Sequence, residues 1–501
     1  MELIRQKPGE GRTVLGQAAE GVDVHDAEAV NDASRRELYK KREPIHPKAV
    51  HGKFRTAKWV FMALALGAYY FIPFLRWDRG PGQPDQAVLV DFANARFYFF
   101  FIELWPQEVY YITGLLILAA LALFLVTALF GRVWCGYACP QTVWTDLFIA
   151  VERLFEGDRN KRIKLDRAPW SVDKAWRKIG KHAVWIAIAA ATGGAWILYF
   201  HDAYAVLNNF VTGQAALTSY VFFGVLTFTT YTLAGTMREQ VCTYMCPWPR
   251  IQGALIDEEA LQVTYKWDRG EPRGRHKKGE SWEGRGDCID CKACVAACPM
   301  GIDIREGAQL ECINCALCID ACDDIMAKVG RPRGLIGYDT DKNVKARSEG
   351  GTGSFKFFRA RTVLYAVLIA GIGGLMLFGL VSRADLTLDA WRDRNPNYVI
   401  LSDGTVRNGY TLTVMNKASE TREVRLSLES DPLMRLRVLG NGDGDLTLTL
   451  LPDAPTDFRL YLSLPPEGVD AASEPIAFIV TDVETGETAR TDSVFQTGEM
   501  R

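Results

Sequence analysis

Twelve cysteines occur in this 501-residue chain, and all of them fall in four short motifs. Cys288, Cys291, Cys294 and Cys298 form one C-x2-C-x2-C-x3-C run, and Cys312, Cys315, Cys318 and Cys322 form a second. The other four make two C-x3-C-P pairs, Cys135/Cys139 before Pro140 and Cys242/Cys246 before Pro247, each directly after a long apolar stretch. Thiolates are the soft ligands of iron–sulfur clusters, zinc and monovalent copper. A chain that spends every thiol this way handles electrons, metals or both beside a membrane.

Three cysteines spaced by three wrap a loop around one face of an iron–sulfur cubane, and in two-cluster ferredoxins the last cysteine of each run crosses to the other cluster. The rule predicts two [4Fe-4S] clusters, the first on Cys288, Cys291, Cys294 and Cys322, the second on Cys298, Cys312, Cys315 and Cys318. Zinc also binds C-x2-C, but eight cysteines in a doubled pattern fit paired cubanes better. Pro299 follows Cys298 as the pattern asks, whereas Asp323 stands after Cys322.

Cysteines four apart on a helix project from one face, one turn above the other. Each C-x3-C pair is therefore expected to chelate a soft metal. Met237 and Met245 stand nearby in sequence, and thiolate with thioether suits monovalent copper better than it suits hard ions. The two pairs also echo one another as a weak internal repeat, 132–140 against 239–247, which would bring four thiols to the same depth. Competing readings are plain burial of small residues, a reversible dithiol relay, and haem held by His182 and His201, although histidines at such positions are more often simply interfacial.

The elements that position these motifs are legible in the hydropathy. Five apolar runs approach the length of a bilayer crossing, at 59–75, 109–130, 183–200, 220–234 and 363–381. The fourth is diluted by Thr227, Thr229, Thr230 and Thr232. The aromatic stretch 97–105 is too short to span and reads as interfacial or partly re-entrant. Lys and Arg crowd residues 1–58 and the segment between the second and third runs, while 201–219 has none. Positive-inside reasoning puts the N-terminus and the loops 131–181 and 236–360 in the cytoplasm, and an odd number of spans sends the C-terminal region to the opposite side. No cleavable signal peptide is visible, and the leading residues read as disordered to about Arg35.

The domain organisation follows: a cytoplasmic N-terminal segment, 1–57; a transmembrane region carrying both C-x3-C-P motifs, 58–252; a cytoplasmic α+β ferredoxin-like insert with linkers, 253–360; a last transmembrane helix, 361–382; and an all-β region, 383–501. In the last, Tyr410, Leu412 and Val414, then Val424, Leu426 and Leu428, and three further runs alternate with period two, and turn signals such as 441–444 separate them. About seven short strands suggest a periplasmic immunoglobulin-like sandwich, and it contains no cysteine. The balance of Lys+Arg 58 against Asp+Glu 60 argues against a nucleic-acid partner. No nucleotide-binding fingerprint is present, so electrons are expected from a partner.

Together, five spans, twin C-x3-C-P pairs, a two-cluster insert, a C-terminal strand domain and the segment His46-Pro47-Lys48-Ala49-Val50-His51-Gly52-Lys53-Phe54-Arg55 resemble the CcoG family of cytochrome oxidase accessory proteins, also called FixG or RdxA-like. The resemblance runs from about Lys40 to the end. It implies a multi-pass protein of the bacterial inner membrane that reduces cupric to cuprous ion for the copper centre of a cbb(3)-type cytochrome c oxidase. On that implication Cys135, Cys139, Cys242 and Cys246 hold copper, as substrate or bound metal, or pass electrons to it. A copper transporter or chaperone and oxidase assembly proteins would be partners, the electron donor is unspecified, and a homodimer is allowed for. The membrane core is also similar to electron-transfer subunits of nitrate and nitrous oxide reductase systems. That likeness supplies the runner-up, a quinol-linked module without a copper site; a non-enzymatic assembly scaffold is the third reading.

Overall fold

The computed structural model describes residues 22–32, 43–80, 83–277, 279–418, 420–440, 446–469 and 471–498. It divides into two units, one of residues 1–77 and 86–375, the other of 78–85 and 376–501.

The first unit opens with α1 (Lys53–Phe71), followed by a small antiparallel sheet, β1 (Val88–Asp91), β2 (Arg96–Phe99) and β3 (Ile102–Leu104). The long apolar α2 (Tyr110–Phe130) leads into the short α3 (Val133–Tyr137), and α4 (Pro140–Glu156) and α5 (Arg159–Arg167) complete the loop before α6 (Val172–Ile197). Then come α7 (Ala203–Val211) and α8 (Leu217–Thr230), which runs on as a π-helical turn, Tyr231–Met237; a second π-helical turn, Val241–Met245, precedes α9 (Trp248–Leu255). Among the described residues four helical stretches are long and apolar enough to cross a membrane: Lys53–Phe74, Pro106–Phe130, Leu217–Met237 and Ala360–Val381. Their apolar side chains, such as Leu115, Leu116, Leu368 and Leu375, stay exposed, as lipid-facing residues do.

Three expectations change here. The run at 183–200 is helical in α6, but the helix breaks after Ile197 and its first half carries Lys174, Lys178 and Lys181, so it does not qualify on length and composition. The stretch 97–105 is a β-hairpin: Phe97 pairs with Leu104 and Phe99 with Ile102, and Phe100 turns the chain at φ 54°. Large side chains alternate across its pleat, a form that an interfacial segment can also take. Residues 22–32, expected to be disordered, pack on the insert, with Val22 and Ala27 buried. The His25 amide donates to the Cys291 carbonyl at 3.0 Å and the Val30 amide to that of Gly301 at 2.8 Å.

The insert has the compact α+β form of a two-cluster ferredoxin. Strands β4 (Gln262–Tyr265) and β5 (Ile336–Asp339) pair antiparallel, with the short α10 (Trp267–Gly270) after β4, and two helices, α11 (Ala293–Ala297) and α12 (Leu317–Lys328), each carry the tail of a cysteine run. Ile289, Val295, Ile319, Ile325, Leu335 and Ile336 make the core between them. Helix α13 (Asp341–Ser348) closes the insert before the apolar α14 (Ala360–Val381).

In the second unit two antiparallel sheets face each other. One has β10 (Arg435–Val438), β12 (Ala454–Leu464), β8 (Val406–Asn416) and β6 (Leu386–Arg392), with β7 (Val399–Ile400) paired to β8; the other has β11 (Thr447–Leu450), β9 (Arg422–Glu429), β13 (Ser473–Asp482) and β14 (Thr488–Gln496). Alternate residues point inward: Tyr410, Leu412, Val414, Leu460, Leu462 and Phe478 are fully buried. Each contributes about 1.5–3 kcal/mol by leaving water, so no disulfide is needed. The turn read at 441–444 lies outside the described residues.

Candidate functional site

The two C-x2-C-x2-C loops have the same backbone. Asp290 and Lys292 adopt φ of 52° and 54°, and their counterparts Asn314 and Ala316 adopt 51° and 61°. Left-handed residues in alternation turn successive N–H groups into the concave side of a loop, a geometry suited to the negative charge of a ligated iron–sulfur centre. Each loop then enters a helix, α11 or α12, that supplies its next cysteines.

Cys288, Cys291, Cys294 and Cys322 line one cavity of about 340 Å³, walled by Ile289, Met326 and Leu335. Cys298, Cys312, Cys315 and Cys318 line a second of about 360 Å³, walled by Val263, Ile302 and Ile304; Cys294 reaches its edge. Among the described residues no three His, Cys, Asp or Glu side chains gather on a single point. The thiols ring two separate cavities. Burial raises Cys312 to about 11 and Cys298 to about 12, so only a strongly bound cationic centre would hold these two as thiolates. All twelve cysteines are free of disulfides. Both cavities thus fit a cubane by donor type, donor number and apolar surround.

The C-x3-C-P motifs do not place two cysteines on one helical face. Cys135 sits inside α3 and Cys242 inside the second π-helical turn, but Cys139 and Cys246 have left the helix, with ψ of 127° and 122°. The following proline forces this, because its ring excludes the helical conformation from the residue before it. The internal repeat survives in the backbone. Four residues before each first cysteine the chain turns at the same unusual dihedrals, φ 58° and ψ −130° at Gly131, φ 44° and ψ −113° at Arg238. Arg238 tolerates this position while anchored to Glu152, whose carboxylate it meets at 2.5 Å.

The repeat sets Cys135, Cys139, Cys242 and Cys246 near enough to feel one another's charge, while among the described residues no three of them gather on a single point. Burial pushes Cys242 up to about 12, and the neighbouring thiols of Cys139, Cys135 and Cys246 add to the rise. Cys135 is likewise pushed to about 12 by burial and by Cys139, and its Sγ donates to Gln252 Oε1 at 3.2 Å. Cys135 and Cys242, both raised by burial and by neighbouring thiols, become thiolates only around a cation. His182, by contrast, is taken up by the Tyr231 hydroxyl, 2.9 Å away, in a cluster with Trp185. It is not brought together with His201.

The second cysteine loop lies directly on the first C-x3-C-P motif. A Cβ at Gly136 would stand 2.7 Å from the Ile313 carbonyl oxygen and 3.0 Å from Cys315 Cα, so only glycine allows this approach. The Tyr137 hydroxyl donates to the Cys315 carbonyl at 3.3 Å, and the Tyr338 hydroxyl to that of Asn314 at 2.8 Å. Arg132 donates to the carbonyls of Leu310, Cys312 and Pro249, binding both motifs to the loop. Cys135, Cys315, Met300 and Ile313 share one apolar cluster against which Cys242, Cys298 and Cys312 pack. Asp320, inside the second cysteine run, accepts the amides of Phe54 at 3.3 Å and Arg55 at 2.7 Å, so α12 caps the first turn of α1. Gly136, Arg132, Tyr137, Tyr338 and Asp320 escape sequence reasoning, because each acts through a partner far away in the chain. The one available signal is that Arg132, Gly136 and Tyr137 fall inside the 132–140 repeat.

Comparison with known proteins agrees with this layout. Residues 237–341 match a family model described as a 4Fe-4S dicluster domain, residues 112–162 a 4Fe-4S binding domain, and residues 376–498 the IG-like fold at the C-terminal of FixG. The chain is 50% identical over 494 residues to the nitrogen fixation protein FixG of Rhizobium meliloti, covering 92% of this chain and 94% of that protein. It is 48% identical to protein RdxB of Cereibacter sphaeroides, over 93% and 98% of the two chains. Protein RdxA of the same organism is 52% identical over 87% of this chain and 92% of its own.

Proposed function

This chain belongs to the FixG/RdxA-type family of accessory proteins, and from that premise we propose that it reduces Cu(II) to Cu(I) at Cys135, Cys139, Cys242 and Cys246, for assembly of the copper centre of a cbb(3)-type cytochrome c oxidase. It is an iron–sulfur electron-transfer protein with membrane-spanning helices. We assign one [4Fe-4S] cluster to Cys288, Cys291, Cys294 and Cys322 and the other to Cys298, Cys312, Cys315 and Cys318. So held, they supply electrons one at a time.

One observation carries the reading: the loop bearing Cys312 and Cys315 rests on the helix bearing Cys135, with Gly136 between them. Burial lowers the Arg132 guanidinium from its ordinary value, while Cys135 and Cys312 beside it oppose that fall, so negative charge on either thiol favours the positive form of Arg132. The four thiols, Cys135 buried and the other three half-buried, release protons when a soft cation enters, and that cation takes up one electron: Cu(II) plus one electron gives Cu(I). An outside donor must restore the electron, because no nucleotide or flavin fingerprint is present in the sequence.

The domain limits read from the sequence carry into this proposal, with 253–360 cytoplasmic and 383–501 periplasmic in the inner membrane. A fifth crossing, by α6, would complete that topology. Helix α6 packs along α8, with Gly193 against Thr227 and the Phe223 carbonyl, and Trp185 against Gly235 at the far end. If α8 crosses, α6 accompanies it through the bilayer. The donor, a copper transporter or chaperone, and oxidase assembly proteins are the partners this function requires.

The test is anaerobic copper titration and cupric reduction by the purified holoprotein against a variant with all four C-x3-C-P cysteines changed to Ala. Loss of both supports the proposal; unchanged binding and rate overturn it. One finding favours a second reading: the 4Fe-4S binding model over 112–162 covers Cys135 and Cys139, two thiols where a cubane needs more. With Cys242 and Cys246 they could complete a third iron–sulfur centre, which iron and acid-labile sulfide counts on the same variant distinguish.

A further inference from the structure

Between the ferredoxin insert and the membrane-edge helices lies a small pocket whose lining includes Cys242, Met300 and Ile313, the carboxylates of Glu239 and Asp146, and the cations Lys58 and Arg238. Met300 is 4% exposed and belongs to neither cysteine run. A buried methionine is usually a gap-filler, but this one shares a cavity wall with a thiol that belongs to the proposed copper set.

Of the two carboxylates in the lining, that of Asp146 is already engaged. Asp146 takes the Arg55 guanidinium at 2.8 and 2.9 Å and has Lys58 Nζ at 3.9 Å. Its carboxylate is neutralised and held off any further cation. The sulfur donors of the lining are the thiol of Cys242, from the membrane motif, and the thioether of Met300, from the insert. Thiolate and thioether select monovalent copper over harder divalent ions.

We propose that Cys242 and Met300 form a subsite for cuprous ion, the product of the reduction, at the seam between insert and membrane region. This rests on the copper reading above. Binding displaces the Cys242 proton to water and makes a Cu(I)–thiolate and a Cu(I)–thioether bond; no further electron moves. Because soft sulfur holds Cu(I) more firmly than Cu(II), the subsite draws the one-electron reduction forward and keeps the product from reoxidising before it is handed on.

The experiment is anaerobic competition for Cu(I), supplied as its acetonitrile complex, between the full-length holoprotein and the chromophoric chelator bicinchoninate. Met300→Leu keeps the volume and removes the sulfur; it should weaken Cu(I) binding about tenfold, the scale of losing one supporting group at a metal site, with iron content unchanged. Met300→Cys should restore most of the affinity. Thr145→Phe fills the cavity from α4, remote in sequence from either cysteine run, and should also weaken binding; it decides the matter if Met300→Leu loses iron. Wild-type affinity in both Met300→Leu and Thr145→Phe overturns the subsite. If Cys242→Ala weakens Cu(I) binding while those two do not, the subsite alone fails. If the four-cysteine variant also binds normally, the copper reading fails with it.

Discussion

The loop of Cys288, Cys291 and Cys294 and the loop of Cys312, Cys315 and Cys318 share their backbone turn for turn and differ in what surrounds them. The first is overlaid by the N-terminal segment, through His25 on the Cys291 carbonyl, and has Arg305 beside it, held by Asp303 and Asp290 at 2.6 Å each. The second is pressed against α3 and gripped by Arg132, Tyr137 and Tyr338. Two sites made alike from one motif thus acquire different surroundings. On the proposed copper function, the second would pass electrons to the membrane-edge thiols and the first would take them from the donor.

The largest expected effect breaks this asymmetry at the ligands. Cys315→Ala should lower single-turnover cupric reduction by a chemically prereduced protein at least about 100-fold, the scale on which even small misplacement of reacting groups is felt. Cys291→Ala should leave a substantial fast phase, because the loop on α3 is intact. Stopped-flow of both variants checks the order; equal losses would erase the distinction between the loops.

A smaller effect is expected at the contact itself. Gly136→Val should force the second loop off α3 at a cost of about 1–3 kcal/mol in overpacking, slowing cupric reduction while both clusters remain assembled. Gly274 donates to the Cys288 carbonyl at 3.1 Å, but a Cβ there meets only the end of Arg285, at 3.5 Å. Gly274→Ala should therefore leave the rate within error. The smallest effect is at a single hydrogen bond: Tyr338→Phe removes the donor to Asn314 and should destabilise the insert by about 1 kcal/mol, read as a lowered thermal midpoint with unchanged iron content.

How much of this could be read in advance depended on the range of the interaction. The cysteine partition between the two cavities follows from local spacing and a crossing rule, and the inward residues of the sandwich, Tyr410 to Phe478, follow from a two-residue period. The extended Cys139 and Cys246 were also local, but the proline effect was masked by reading x3 as one helical turn. The strand form of 97–105 was not legible because large aromatics suit a membrane interface and a strand equally. Gly136, Asp320 and Met300 carry no local mark. A glycine, an acid and a methionine acquire meaning only when Ile313, Arg55 and Cys242 are placed against them.

The central claim is that electrons stored in the insert reach copper at the membrane-edge thiols. It is tested most directly by reducing the holoprotein anaerobically, removing the reductant, and mixing with Cu(II) while following cluster absorbance and Cu(I) formation together. The account predicts that the clusters reoxidise and Cu(I) appears in matching electron equivalents, and that both events vanish in the variant lacking Cys135, Cys139, Cys242 and Cys246. Clusters that stay reduced with Cu(II) present, yet are promptly oxidised by a soluble quinone analogue, would contradict it.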